Sequence, residues 1–104
     1  MPRSNGVEVF VFMTLHYPSA EAVEALAAGM AQMRGWMESQ AGCLGVDPPL
    51  LTEDRTCLVG YSRWESKEAL LATGIDLDAL LGTHSGELRH RQPFFLTSFP
   101  SGPA

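Results

Sequence analysis

Three histidines are the side chains of this sequence best suited to proton transfer, because imidazole titrates near neutral pH. His84, in the segment GTHSGE, is the first candidate for a base that removes the proton of a phenol, although a histidine in such a loop is also often simply exposed. His16 is the second candidate, because it shares one face of an apolar strand with Phe10 and Phe12 and would lie at a pocket rim. His90 stands between two arginines, which is typical of a solvated basic patch.

Tyr61 and Arg63 form a second group, because residues two apart share one face of a strand. The Arg63 guanidinium could hold an enolate or phenolate oxygen through charge-assisted hydrogen bonds. The alternative is an ion pair with Glu8 or Glu65 at a sheet edge. The sequence contains no Walker A, GxGxxG or HExxH motif. We therefore predict no metal site and no nucleotide cofactor.

The first strand that must carry these groups has an unusual pattern. The stretch VEVFVFMTL (7–15) places valines, Met13 and Leu15 on one face and Phe10 and Phe12 on the other, so both faces are apolar. Ser19 is the predicted cap of a helix that runs to Gln40 and ends before Gly42. The helix has one apolar stripe: Val23, Leu26, Met30, Met33 and Met37. Such a stripe is typical of a helix that faces the core, and the alternative is an adaptable wall for an apolar ligand.

The second half of the chain predicts a hairpin, a broken helical part and a last strand. The first arm of the hairpin, CLGV and PLL, is interrupted by DPP, and the second arm runs over 56–65. Ser66 and Asp76 are predicted to cap two short helices. The segment GTHSGELRHRQ is irregular or helical, and the sequence leaves open whether it covers the pocket. The last strand, PFFLTSF (93–99), is again apolar on both faces.

The order β-α-β-β-α-β predicts an α+β, ferredoxin-like fold with an antiparallel sheet and helices on one face. One domain is expected over 1–104, with flexible ends at 1–6 and 100–104. The helices can cover only one apolar face of the sheet. We therefore expect a homodimer whose two sheets pack face to face as a dimeric α+β barrel, with a pocket in each subunit.

Composition restricts the class of protein further. The net charge of −5 opposes binding to nucleic acid or anionic lipid. No apolar run is long enough to cross a membrane, and the N-terminus has no signal-peptide pattern, so a cytoplasmic protein is expected. Cys43 and Cys57 lack a CxxC spacing and are expected to be small buried side chains, with a disulfide or a reactive thiol as alternatives.

Several segments resemble the antibiotic biosynthesis monooxygenase domain family. They are the opening strand, QAGCLGV after the long helix, and VGYSRWESKEALLA, of which RWESKEAL (63–70) is the most specific. The resemblance covers about 7–72. It implies a dimeric α+β barrel that oxidises a small aromatic or polycyclic phenol with O2, using no metal or flavin. Trp64 matches a tryptophan that lines the pocket in this family, with Tyr61, Phe10 and Phe12 as further substrate-binding candidates.

Two alternatives remain within this resemblance. The oxygenases use an asparagine near the third strand, where this sequence has Gly60, Tyr61, Ser62 and Arg63, so a non-catalytic dimer that binds a small ligand is the first alternative. A haem-binding or haem-degrading protein is the second. It is disfavoured because the first strand has no asparagine and Gly74 replaces the histidine expected after Trp64.

Overall fold

The computed structural model describes residues 9–98, which form one antiparallel sheet with helices on one face. The elements in chain order are β1 (Phe10–His16), α1 (Val23–Glu38), β2 (Cys43–Val46), β3 (Leu50–Leu51), β4 (Leu58–Trp64), α2 (Lys67–Leu71), α3 (Leu77–Leu81) and β5 (Gln92–Thr97). The strand order is β2-β4-β1-β5, with β3 also paired to β4. This arrangement confirms the α+β, ferredoxin-like prediction. The sheet of one chain remains open.

Strand β1 lies in the middle of the sheet and has two different faces. Phe12 lies opposite Ser62 in β4 and Phe95 in β5, and the Phe12 and Phe95 rings stack with their centroids 5.3 Å apart. On this face, β1 packs against the helices with Phe10, Phe12, Thr14 and His16. The opposite, open face carries apolar side chains of three strands: Val11, Met13, Leu15, Val59, Phe94 and Leu96. The prediction of two apolar faces is therefore confirmed for the described part of β1.

The core lies between the Phe10 end of the sheet and helices α1 and α2. Trp64 and Leu70 are fully buried, and they pack with Phe10, Phe12, Met37 and Val46. Burying each large side chain contributes roughly 1.5–3 kcal/mol to the free energy of unfolding. The core thus occupies one end of the sheet. The other end carries Leu58, which lies opposite His16 and is 2% exposed but does not belong to this cluster.

The helix boundaries differ in detail from the predicted ones. Ser19 makes no capping hydrogen bond, and a 3-10 turn (Ala20–Ala22) precedes α1 instead. Helix α1 ends at Glu38, two residues before the predicted end, and Ser39 bonds back to the Trp36 carbonyl. Gly42, with φ +84°, follows the helix, and a Cβ there would lie 2.6 Å from Ala69 Cβ. Glycine is therefore required at this close approach to α2.

The two short helices begin where the sequence predicts. The Ser66 hydroxyl accepts a hydrogen bond from the Ala69 amide, and the Asp76 carboxylate accepts one from the Ala79 amide, both at 3.1 Å. The interrupted first hairpin arm is also confirmed, since β2 and β3 are separate strands. The predicted residues Val7, Glu8 and Phe99 lie outside the described part of the chain. Within 9–98, no helix is long and apolar enough to cross a membrane.

Candidate functional site

A cavity of about 280 Å³ lies between the sheet and helix α1, next to the core. Its sheet wall is formed by β1 and β4: Phe12, Thr14, His16, Gly60 and Ser62. Its helix wall is apolar and comes from one stripe of α1: Ala25, Leu26, Met30, Met33 and Met37. Charged side chains border it at Arg34, Asp47 and Arg91. The methionine stripe that the sequence assigns mainly to the core therefore also lines this cavity.

His16 is the buried titratable group in the sheet wall. It is 4% exposed, and its Nε2 lies 2.7 Å from Thr14 Oγ1. Its Nδ1 is buried and has no hydrogen-bond partner in 9–98. Burial, assisted by the positive charge of Arg91, lowers the pKa of His16 to about 4. His16 is therefore neutral at pH 7, and one of its ring nitrogens carries the lone pair that a base requires.

The hydrogen bond between Thr14 and His16 assigns the proton on the imidazole. Within the described residues, His16 Nε2 is the hydrogen-bond partner of Thr14 Oγ1. If Nε2 carried the proton, both the Thr14 hydroxyl hydrogen and the Nδ1 lone pair would be unpaired. If Thr14 donates to Nε2, only the Nδ1 proton is unpaired, which is the less costly arrangement for buried groups. We therefore assign the Nδ1-H tautomer.

A buried ion pair supports the cavity at its Arg91 side. Arg91 donates to both carboxylate oxygens of Glu87, from Nε at 2.9 Å and Nη2 at 2.6 Å, and from Nη1 to the Leu80 carbonyl at 2.9 Å. The Arg91 and Glu87 side chains are only 10% and 3% exposed. Burial raises the pKa of Glu87, but the hydrogen bonds and charge of Arg91 outweigh it and hold the pKa below its usual value. The pair attaches the 84–91 loop to the end of α3.

His84, the first candidate base, lies outside the His16 cavity. Its Nε2 is 3.0 Å from the carbonyl oxygens of both Ala79 and Leu80, so this nitrogen carries the proton and donates to the C-terminal end of α3. His84 borders a second, more open groove with Trp36 and Ile75. Met33 and Leu80 border both spaces. This geometry gives His84 a role in holding α3 and leaves His16 as the histidine on the cavity wall.

The aromatic candidates separate into core and cavity. Phe12 lines the cavity, whereas Phe10 and Trp64 belong to the core cluster. The Trp64 indole donates from Nε1 to Ser62 Oγ at 2.9 Å, and Ser62 lines the cavity. Trp64 therefore contacts the cavity residue Ser62 but does not line the cavity itself. Tyr61 borders the cavity, although its register opposite Met13 puts it on the open side of the strand.

The remaining two candidates lie away from the cavity. Arg63 pairs with Asp47, with 3.6 Å between Nη1 and Oδ1, a partner that differs from the two acidic residues suggested by the sequence. His90 is exposed, as its basic surroundings predict. The structure thus brings His16, Phe12 and the edge of Tyr61 together. It separates them from His84, Arg63 and Trp64.

Sequence reasoning missed Thr14, Gly60 and Arg91 as cavity residues. The i, i+2 spacing of Thr14 and His16 could have indicated that the two share a strand face. The i, i+4 spacing of Glu87 and Arg91 could have indicated a pair, had the segment been predicted to turn back on itself. Nothing in the sequence distinguishes Gly60 from a glycine required only for packing. Both cysteines are free, and no cluster of three or more metal-ligating His, Cys, Asp or Glu occurs within 9–98.

Comparison with known families assigns this fold. The sequence pattern described as "Antibiotic biosynthesis monooxygenase" matches residues 7–72, which is more than half of the chain. The chain belongs to this family. No curated protein matches the sequence closely enough to be counted as a relative. The family resemblance predicted from RWESKEAL is therefore confirmed.

Solved structures share the fold of this family member along nearly its whole length. Rv0793 from Mycobacterium tuberculosis matches with a TM-score of 0.68 and 21% identity, over 92% of this chain and 98% of that one. PA3566 from Pseudomonas aeruginosa has a TM-score of 0.71 and 16% identity, over 90% and 97%. The monooxygenase ActVA-Orf6 of Streptomyces coelicolor, solved with nanaomycin D, has a TM-score of 0.66 and 19% identity, over 91% of each chain. At these identities the likeness establishes the fold, and together with the family it supports a monooxygenase-like function.

Proposed function

We propose that this protein is a cofactor-independent monooxygenase that oxidises a small hydroxylated aromatic compound with O2. The observation that carries the proposal is a buried, neutral histidine, His16, in the wall of an otherwise apolar cavity. A phenol bound there would lose its proton to His16. The dry surroundings strengthen the attraction between the resulting phenolate and the imidazolium.

The chemistry requires little from the protein beyond this site. A phenolate is electron-rich enough to reduce O2 itself, so that carbon forms a bond to oxygen and the peroxide then loses water. The overall reaction converts a phenol and O2 to a quinone and water, and the aromatic ring supplies all four electrons. His16 supplies the base, and the apolar side chains of α1 exclude water.

The size of the cavity supports a small substrate. Its volume of about 280 Å³ lies at the lower end of the roughly 300–1,000 Å³ typical of small-molecule sites. One or two fused rings would fill it. Haem is larger than such a compound and would need part of α1 or the 84–91 loop to move. The haem-degrading alternative is therefore the weaker one, although the second groove beside Trp36 offers additional apolar surface.

We also propose that the protein is a homodimer that buries the open face of the sheet. Phe94 and Leu96 are 38% and 41% exposed on this face, beside Met13, Leu15 and Val59. Apolar side chains of three adjacent strands lie side by side on this face, next to Tyr61 and Arg63 of β4, and soluble monomers rarely expose a large apolar surface. A second copy related by a two-fold axis would cover it with the same residues.

The test of the function combines binding and oxygen consumption. A Trp36→Phe variant leaves Trp64 as the only tryptophan, and Trp64 donates to the cavity residue Ser62. We would titrate it with 1-naphthol, 2-naphthol and haem while monitoring fluorescence, absorbance and dissolved O2. Saturable quenching together with O2 uptake is the expected result. Quenching by the naphthols without uptake would instead indicate the non-catalytic binding protein, and a Soret band with loss of haem would indicate the haem degrader.

A further inference from the structure

Gly60 packs directly against the Thr14–His16 hydrogen bond, where a residue with a side chain would not fit without a shift of its neighbours. A Cβ at residue 60 would lie 2.8 Å from Thr14 Oγ1, 3.4 Å from Met30 Cε and 3.8 Å from His16 Nε2. All four residues line the cavity. Because residue 60 has no Cβ, no side chain at this position separates the Thr14 hydroxyl from the cavity that both residues line. Thr14 Oγ1 is nearer to residue 60 than the imidazole nitrogen is.

The Thr14 hydroxyl already donates to His16 Nε2 in the assigned tautomer, across 2.7 Å. The lone pair of Nε2 is therefore occupied, and a ligand hydroxyl entering beside Gly60 meets Thr14 Oγ1 as the available acceptor. A ligand that bonded Nε2 directly would first have to break this buried hydrogen bond. The geometry thus places Thr14 between the ligand and the base.

We propose that Thr14 is a catalytic residue that binds the substrate hydroxyl and relays its proton to His16. This role rests on the proposed function and names the residue that the substrate touches. The substrate O–H bond breaks as its proton binds Thr14 Oγ1, and the original Thr14 proton binds His16 Nε2. Thr14 remains a neutral hydroxyl, the substrate becomes an oxyanion, and His16 becomes an imidazolium. No other reactant is needed.

The charged groups around His16 make the step depend on the substrate. Arg91 and His84 oppose the imidazolium and Glu87 favours it, and within the ion pair Arg91 has the larger effect on His16. Arg34 and Asp47 border the same cavity with opposite charges. The new oxyanion adds a negative charge beside the imidazolium, which opposes the effect of Arg91 and His84. Deprotonation is therefore coupled to the presence of the substrate.

The relay predicts the ionisation of a bound phenol, which can be measured without any oxygen chemistry. The probe is 4-nitrophenol, whose ionised form absorbs visible light, added under anaerobic conditions to the wild type and to Thr14→Val and Thr14→Ser. We expect the wild type to bind a larger fraction of the probe in the ionised form than Thr14→Val does at the same pH. Thr14→Val should bind it neutral, and Thr14→Ser should restore the ionised form.

Oxygen uptake with 1-naphthol separates the relay from the function on which it rests. We expect Thr14→Val to lower the rate by about 10²-fold or more, the usual contribution of a proton-transfer group, with Thr14→Ser near the wild type. Uptake and ionisation unchanged in Thr14→Val would overturn the relay and leave the oxygenase intact. Ionisation that depends on Thr14 without uptake in the wild type would support the relay and refute the oxygenase.

A second variant keeps the proposal testable if Thr14→Val does not fold. Gly60→Ala retains Thr14 and His16, but its methyl group would lie 2.8 Å from Thr14 Oγ1 and would displace the hydroxyl from its position between ligand and base. We expect it to weaken 4-nitrophenol binding at least tenfold, while Gly35→Ala, at a helix position with open space outside the cavity lining, leaves binding unchanged. Equal binding by both variants, or no binding by the wild type, would overturn the proposal.

Discussion

Replacing Glu87 by Gln removes one charge of the buried pair and leaves the other. Glu87→Gln keeps the size of the side chain but loses the charge-assisted bonds to Arg91 at 2.9 and 2.6 Å. Arg91 retains its bond to the Leu80 carbonyl and can donate one neutral hydrogen bond to the amide oxygen at residue 87. Because both side chains are almost fully buried, the unpaired guanidinium cannot recover its hydration. Breaking such a pair typically costs about 3–5 kcal/mol, a large part of the roughly 5–15 kcal/mol that stabilises a domain.

Urea unfolding of the wild type and Glu87→Gln at pH 7 measures this cost. The matched control is Glu53→Gln, which makes the same change in an exposed turn and should alter the free energy of unfolding by less than about 0.5 kcal/mol. At the lower bound of 3 kcal/mol, the midpoint of thermal unfolding should fall by about 12 °C or more. A loss no larger than that of the control would refute the argument that the pair is buried and holds the 84–91 loop.

Three further predictions follow from single sites. The folded-state pKa of His16, about 4, lies below its unfolded value of 6.5. The contribution of neutral His16 to the free energy of unfolding is therefore fully present above pH 6.5 and is lost as the pH falls towards 4. Urea unfolding at pH 7 and 4.5 should show up to about 3 kcal/mol of this loss in the wild type and in His90→Gln, and less in His16→Gln; equal losses in all three would contradict it. Ser66→Ala and Asp76→Ala should each lower the free energy of unfolding by about 1 kcal/mol, because each removes a helix cap. The control Ser85→Ala, at an exposed residue, should leave it unchanged, and urea titration measures the difference. Phe94→Asp should convert a dimer to a monomer in gel filtration, whereas Leu88→Asp, at a residue 72% exposed in a loop, should not; a wild type that elutes as a monomer would refute the proposed interface.

Much of the fold is predictable from local signals. The two-faced apolar pattern of β1, the methionine stripe of α1 and the caps at Ser66 and Asp76 all indicate the observed elements, because each depends on residues close in sequence. The end of α1 is less predictable. Residue 42 must be glycine because it contacts Ala69 in α2 closely, and this glycine does not mark the end of the helix. Such a contact depends on the tertiary structure.

The candidate site is less predictable for the same reason. Strand alternation alone puts His16 on the same face as Phe12, and both residues line the cavity. His84 could not be separated from it, because its hydrogen bonds to the end of α3 depend on how the loop turns back. The partner of Arg63, Asp47, belongs to the interrupted hairpin arm, whose register involves a bulge. Thr14 acquires its importance only from the tertiary packing, which puts it against Gly60 of the neighbouring strand in the cavity wall.

The central claim is that the cavity containing His16 carries out the reaction. The most direct test is the rate of O2 uptake with 1-naphthol by wild type, His16→Gln, His84→Gln and His90→Gln, each shown to be folded by circular dichroism. We predict that His16→Gln lowers the rate by about 10²–10⁴-fold and that the other two variants remain within a few-fold of the wild type. A large loss in His84→Gln with an active His16→Gln would contradict the account and return the base to the 84–91 loop.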